Sequence, residues 1–390
     1  MRVRTGHTVT LLLCGLWWAA QGPAAKAQES ASPPAPTGAE AVIAADVASL
    51  AAAGIRDDAE SVIRFLTEGF TQQTDLSKLP PRPAVRSQLF VAAMRVAAVR
   101  QYRMAGPALV WIAQGDFGPG IERVIRYDAR NRYSPFPGAA REQFEATLRS
   151  NAINALGLLG DLENLPALAR LFKAERDPVR RVAIALAQAG SGDPEAVEYL
   201  VEQAKAKDRA VVSEACEALS WISGRDFVVS VRSSAARRKA VAADIQKWWK
   251  QARKTFVPDP QAIRQRRFEP PAPRALPVPP RGIADLLVLA VNENNATGAY
   301  SNLEAFRRIV DTGAGALGPL SAVIADEMAD IDVRLLSMRA CESIVKNRNV
   351  AITDALLEAL AGAARGDDPE VRAAAARLRD ELKAILKSRQ

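Results

Sequence analysis

Residues 150–161 read SNAINALGLLGD, residues 180–193 read RRVAIALAQAGSGD and residues 213–226 read SEACEALSWISGRD. Laid over one another they share an Ala-Leu pair: Ala155-Leu156, Ala185-Leu186 and Ala218-Leu219. The pairs recur at intervals of 30 and 33 residues, a period at which chains stack one supersecondary unit on the next. Small and apolar residues fall three and four apart, so each segment reads as a helix with one buried stripe. Each stops at a glycine with an aspartate at or just past it. Glycine accepts the left-handed conformation that ends a helix, and the aspartate can cap the next one. Between the copies lie LENLPALARLF (162–172) and PEAVEYLVEQA (194–204), apolar at the same spacing. The unit is therefore a helix pair. Asp177-Pro178-Val179-Arg180 is the tight turn back, with Pro178 just inside a helix start, where its missing N–H is not needed.

Working outward, a fainter copy lies upstream in LVWIAQGDFGPGIERVIRY (109–127). Downstream, LGPLSAVIADEM (317–328) leads into DVRLLSMRACESIV (332–345), and AITDALLEALAG (351–362) into DDPEVRAAAARLRDELKAIL (367–386). Val333-Arg334 and Val371-Arg372 repeat the Val179-Arg180 turn, 38 residues apart. From Ala41 onward alternating β-branched runs are almost absent, so the chain is expected to be all-α. Residues 41–110 are helical by pattern but carry no clear copy of the repeat. One helix pair cannot bury its own apolar face, whereas about three or more stacked pairs share a core.

The DPxVR turn, the Ala-Leu helix and the Gly-Asp stop resemble HEAT repeats, and more narrowly the bacterial HEAT-like units named after phycobilisome lyases. The resemblance covers about 145–225 and 316–386 well, and 84–130 weakly. Tetratricopeptide repeats have a similar period, but their Trp, Gly and Tyr offsets are missing here. The resemblance implies an α-solenoid, a superhelix of antiparallel helix pairs whose second helices line a concave face suited to holding another macromolecule. It implies no reaction; bilin lyase activity is a fold-level analogy only.

The first 27 residues read as a secretory signal peptide: Arg2 and Arg4, then the apolar run Leu11–Ala20, then Ala25-Lys26-Ala27 ahead of Gln28. The run is too short to span a bilayer as a helix. The mature chain is expected to be exported, periplasmic or secreted. Residues 28–40 (QESASPPAPTGAE) read as a flexible tether. Residues 257–281 hold eight prolines and cannot be helical throughout, so they read as a linker, partly polyproline II. The expected division is an N-terminal helical array over 41–256 and a C-terminal one over 282–390.

Apolar types make up 48% and charged types 25% of the 390 residues, enough for a sizeable core and too few charges for wholesale disorder. The single histidine, His7, lies in the signal. Its loss removes Ser-His-Asp and Cys-His nucleophiles and the usual histidine-bearing zinc sites. Without Gly-rich phosphate loops, CxxC or HExxH motifs, the expectation is a protein that is not an enzyme, with no cofactor, no metal and no catalytic residues. Cys216 and Cys341 read as buried apolar side chains rather than a disulfide framework. Loss of the signal lowers the net charge from +8 to +5, since Arg2, Arg4 and Lys26 leave.

Aligning the repeats places Ile153, Ala183 and Cys216 at one core position, and Leu156, Leu186 and Leu219 at another. A neighbouring stripe holds Asn151, Arg181 and Glu214, then Asn154, Ile184 and Glu217, then Leu158, Gln188 and Trp221. If second helices line the concave face, Asn151, Asn154, Arg181, Gln188, Glu214, Glu217 and Trp221 form a protein-binding surface. Trp221 is its natural anchor, and its structural alternative is packing against Phe227. A second candidate is a basic block, with twelve Lys/Arg against three Asp/Glu between Arg225 and Arg267. Arg237, Arg238, Lys247, Trp248, Lys250 and Arg253 can grip an anionic polymer or membrane surface. Its alternative is a capping helix with Ala242, Ile245, Trp249 and Ala252 turned inward. Nucleic acid is not the expected partner of an exported chain. The acidic residues Asp326, Glu327, Asp330 and Asp332 lack an EF-hand's spacing and read as a solvated turn.

Overall fold

A computed structural model describes residues 39–70, 83–131, 137–268, 282–297, 304–348 and 350–389. The signal peptide, most of the tether and the second half of the Pro-rich stretch lie outside the described residues. Among those described, the chain is helical with no strand. It divides into two compact units: residues 1–226 with 249–270, and residues 227–248 with 271–390.

The first unit contains α1 (Ala39–Ala52), α2 (Ala59–Glu68), α3 (Pro83–Val99), α4 (Gly106–Gln114), α5 (Pro119–Asn131), α6 (Pro137–Leu159), α7 (Leu165–Ala174), α8 (Pro178–Gly190), α9 (Glu195–Gln203) and α10 (Arg209–Ser223). Short 3-10 turns precede α4 and α7. The long helices α3, α6, α8 and α10 pack side by side in chain order, and α4, α7 and α9 pack against them. The described part of residues 41–110, which carry no repeat signature, forms α1 to α3 and the start of α4. Asp46 on α1 accepts a 2.7 Å hydrogen bond from Arg95 on α3, and Phe65 stacks on Phe90 at 4.6 Å.

Caps and stops at helix ends follow the local chemistry of their residues. Asp177 caps α8, accepting from the N–H of Val179 at 2.9 Å and of Arg180 at 3.1 Å. Arg180 reaches back to Glu175, just past the end of α7, at 2.9 Å. Burial works against the Glu175 charge, but the bonds from Arg180 and from the Asp177 N–H hold its carboxyl below the usual range. In the second unit Arg334 and Arg372 make the same backward reach, to the carbonyls of Ile324 and Gly366. The helix-stop glycines Gly160 and Gly224 have φ of +60° and +71°. Asp161 and Asp193 then accept from the N–H groups of Glu163 and Glu195. Where α6 crosses α8, a Cβ on Gly157 would lie 2.7 Å from Cα of Ala187, and one on Gly190 would lie 2.5 Å from the Gly157 carbonyl oxygen. The two backbones touch at this crossing.

The second unit contains the first part of α11 (Ala235–Ala252), then α13 (Ile283–Thr297), α14 (Glu304–Asp311), α15 (Ala314–Ala325), α16 (Ile331–Arg348), α17 (Asp354–Ala363) and α18 (Pro369–Arg389). Helix α16 packs on α13, α15 and α18, and α17 packs on α15 and α18. Arg232 hydrogen-bonds Asp332 at 3.0 Å and Glu370 at 2.8 Å, joining the starts of α16 and α18.

The Pro-rich stretch differs from the expected linker in its first part. Helix α12 spans Pro260–Phe268 and packs against α10, α8 and α1. The expected boundary at 256/257 also differs from the compact units, because residues 227–248 belong with the C-terminal half. Among the described residues no helix is long and apolar enough to cross a membrane.

Candidate functional site

Helix α12 lies on the stripe singled out from the sequence. Asp259 caps it, accepting from Gln261 and Ala262 N–H at 2.9 and 3.1 Å, and Pro260 fills its first turn. Ile263 and Phe268 are buried. Arg266 donates from Nη1 to the carbonyls of Trp221 (2.8 Å) and Ile222 (3.1 Å) at the end of α10. Arg267 stands over the Trp221 ring, 5.1 Å from its centroid. Gly160 and Gly224 leave the room: a Cβ there would come within 3.1 Å of Pro260 and 3.0 Å of Arg266.

Glu217 lies beneath this helix. Burial, reinforced by the like charge of Glu214, pushes its carboxyl up to about 7, and Arg267 only partly opposes this. The Arg267 guanidinium is itself depressed to about 10 by burial. Arg267 does not close an ion pair with Glu217; it stacks on Trp221 instead. The result is a half-buried acid–arginine–tryptophan cluster in which, among the described residues, no cation closes an ion pair with the acid.

Of the seven expected partner-binding residues, the structure puts Trp221 and Glu217 beside Arg267 of α12, with Glu214 acting on the Glu217 charge. Trp221 is half-buried beneath Arg267, and Phe227 packs on Trp248 at 5.8 Å. Gln188 is buried, 8% exposed, and offers little surface. Arg181 turns away, its guanidinium between the rings of Phe172 (4.6 Å) and Tyr199 (5.2 Å). Asn151 donates to the Thr147 carbonyl on its own helix at 2.8 Å, and Asn154 is half-buried on α6. Sequence reasoning missed Ile263, Arg266, Arg267 and Phe268. The signal was present: Asp259-Pro260 repeats the Asp-Pro of the repeat turns, an N-cap followed by a proline suited to a helix start.

The basic block separates into buried rings and exposed cations. Trp248 and Trp249 are each 6% exposed. Trp249 donates its indole N–H to Glu198 at 2.8 Å. Ala242 and Ile245 are buried beside them, which is the capping-helix arrangement. Arg238 is half-buried and bonds the Ser233 carbonyl. Arg237, Lys247, Lys250 and Arg253 are exposed. The acidic residues are not simply a solvated turn: Asp332 binds Arg232, and Oδ1 of Asp330 is buried without a hydrogen-bond partner. No group of three or more His, Cys, Asp or Glu among the described residues is placed to hold a metal ion. Cys216 and Cys341 are buried and free, with thiols pushed to about 12 by burial.

No known family pattern matches the chain, and neither curated proteins nor solved structures offer a match.

Proposed function

We propose that the chain is an exported α-solenoid of HEAT-like repeats, periplasmic or secreted, that acts as a non-enzymatic scaffold and holds a protein partner on its α8–α10 face. The observation that carries this reading is the end of α10, where Trp221 already receives a helix, α12, through a cation over its ring and hydrogen bonds from Arg266 to the Trp221 and Ile222 carbonyls. Trp and Arg are the side chains that most often anchor interfaces. The test is affinity capture with mild crosslinking from an envelope extract, using the chain from Gln28. A defined protein partner kept at high salt and lost with Trp221→Ala supports the scaffold.

The other reading, a module gripping an anionic polymer or membrane surface, now rests on the exposed Arg237, Lys247, Lys250 and Arg253 without their tryptophans. Capture that vanishes with salt and ignores Trp221→Ala would favour it, since contacts between exposed charges are screened.

A further inference from the structure

Helix α12 differs from its neighbours in how it is held. Helix α8 has an unbroken buried run from Ile184 to Gly190. Helix α12 has nine residues and buries two large side chains, Ile263 and Phe268. A helix this short does not persist by its own propensity and depends on what it lies against. Phe268 joins the edge of the first unit's core, and polar contacts add to the hold, among them Arg266 on two carbonyls and Arg267 over Trp221. The face beneath carries Glu214 and Glu217 one turn apart, and of the α12 arginines Arg267 acts on the Glu217 charge. Among the described residues Arg267 stacks on Trp221 without closing an ion pair with Glu217, so a ligand that places a cation on Glu217 improves on the resident helix.

We propose that α12 is a displaceable intramolecular ligand: the α8–α10 face is a groove for a short basic helix ending in an aromatic residue, occupied by residues 260–268 until a partner segment of that chemistry replaces them. This rests on the scaffold reading and specifies its partner as a helix of the type Ile-x-x-Arg-Arg-Phe. The segment Ile263–Phe268 (IRQRRF) has this spacing. While α12 is seated, the apparent affinity of the groove is reduced to the fraction of molecules in which it is open.

Hydrogen exchange on the full chain tests whether α12 is displaceable. Amides of Gln261–Phe268 should exchange on the order of a hundredfold faster than those of α8 and α10, as separately opening segments do. Exchange in step with α8 and α10 makes α12 part of the core and overturns the proposal. A fluorescent peptide of sequence Val257–Phe268 then probes the groove by anisotropy. An R266A/R267A chain, with its resident helix weakened, should bind it at least about tenfold more tightly than the unaltered chain, and adding Trp221→Ala should remove the gain. No gain, or gain that survives Trp221→Ala, overturns the proposal. If the double variant loses its helical circular dichroism, the exchange result on the unaltered chain decides. A Trp221-dependent protein partner found alongside a core-like α12 keeps the scaffold and discards the displaceable helix. Peptide binding without any Trp221-dependent protein does the reverse.

Discussion

Glu217 shows what a single residue in this groove costs. Its folded carboxyl sits near 7 against an ordinary 4.5, through burial and the Glu214 charge. A raised carboxyl means that the folded state holds the proton more tightly than the unfolded one. Stability therefore falls as pH rises from about 4.5 to about 7, and is flat above that. The gap corresponds to about 3 kcal/mol. Urea denaturation at a series of pH values should show this decline, and Glu217→Gln should abolish it and be the more stable chain at about pH 8. An unchanged slope in Glu217→Gln would remove Glu217 as its cause. Alignment of repeats found Glu217 and Trp221 but not their state. Helical spacing shows which face a residue shares, whereas burial by a segment some forty residues away is invisible to it. Arg181 illustrates the opposite failure, since a long side chain at an outward position curled onto two rings.

Among elements, the crossing of α6 and α8 is governed by absent side chains. Gly157→Ala puts a Cβ against the Ala187 backbone and should destabilise by about 1–3 kcal/mol, the range for overpacking. Gly362, inside α17, has nothing within 4 Å of such a Cβ. Gly362→Ala should instead stabilise by about 0.5–1 kcal/mol, because glycine is a poor helix former. Guanidinium melts of the two variants check the pair, and equal effects would contradict the geometry. The helix ends were legible because caps and stops are local: Asp177, Pro178 and Gly160 act on backbone groups a few residues away. Helix α12 was not, because eight prolines in one stretch suggested extended chain. Only the Asp259-Pro260 cap, a two-residue signal, argued otherwise.

At the scale of the molecule, the proline count placed the division at 256/257, whereas compactness places 227–248 with the C-terminal half. Trp248 and Trp249 explain why: adjacent in sequence, one packs on Phe227 and the other on Glu198 and Phe256. A heptad-blind reading of a basic helix cannot tell which ring faces what. Each unit carries one buried cysteine, Cys216 in the first and Cys341 in the second. With thiols near 12, the reactive thiolate is about one part in ten thousand at pH 8. A thiol reagent should leave both untouched in native protein. In rising denaturant the order of labelling, read by mass, should report which unit opens first; rapid native labelling of either would refute its burial.

The seven residues between α11 and α12, 253–259, have a further effect. A ligand on so short a tether presents itself to its own groove at an effective concentration of about millimolar. A free partner at cellular levels therefore competes against a large constant dose. The tether raises the partner concentration needed for half occupancy without sharpening the response, so the groove stays closed to weak or scarce helices and yields to one whose intrinsic affinity outruns the tether.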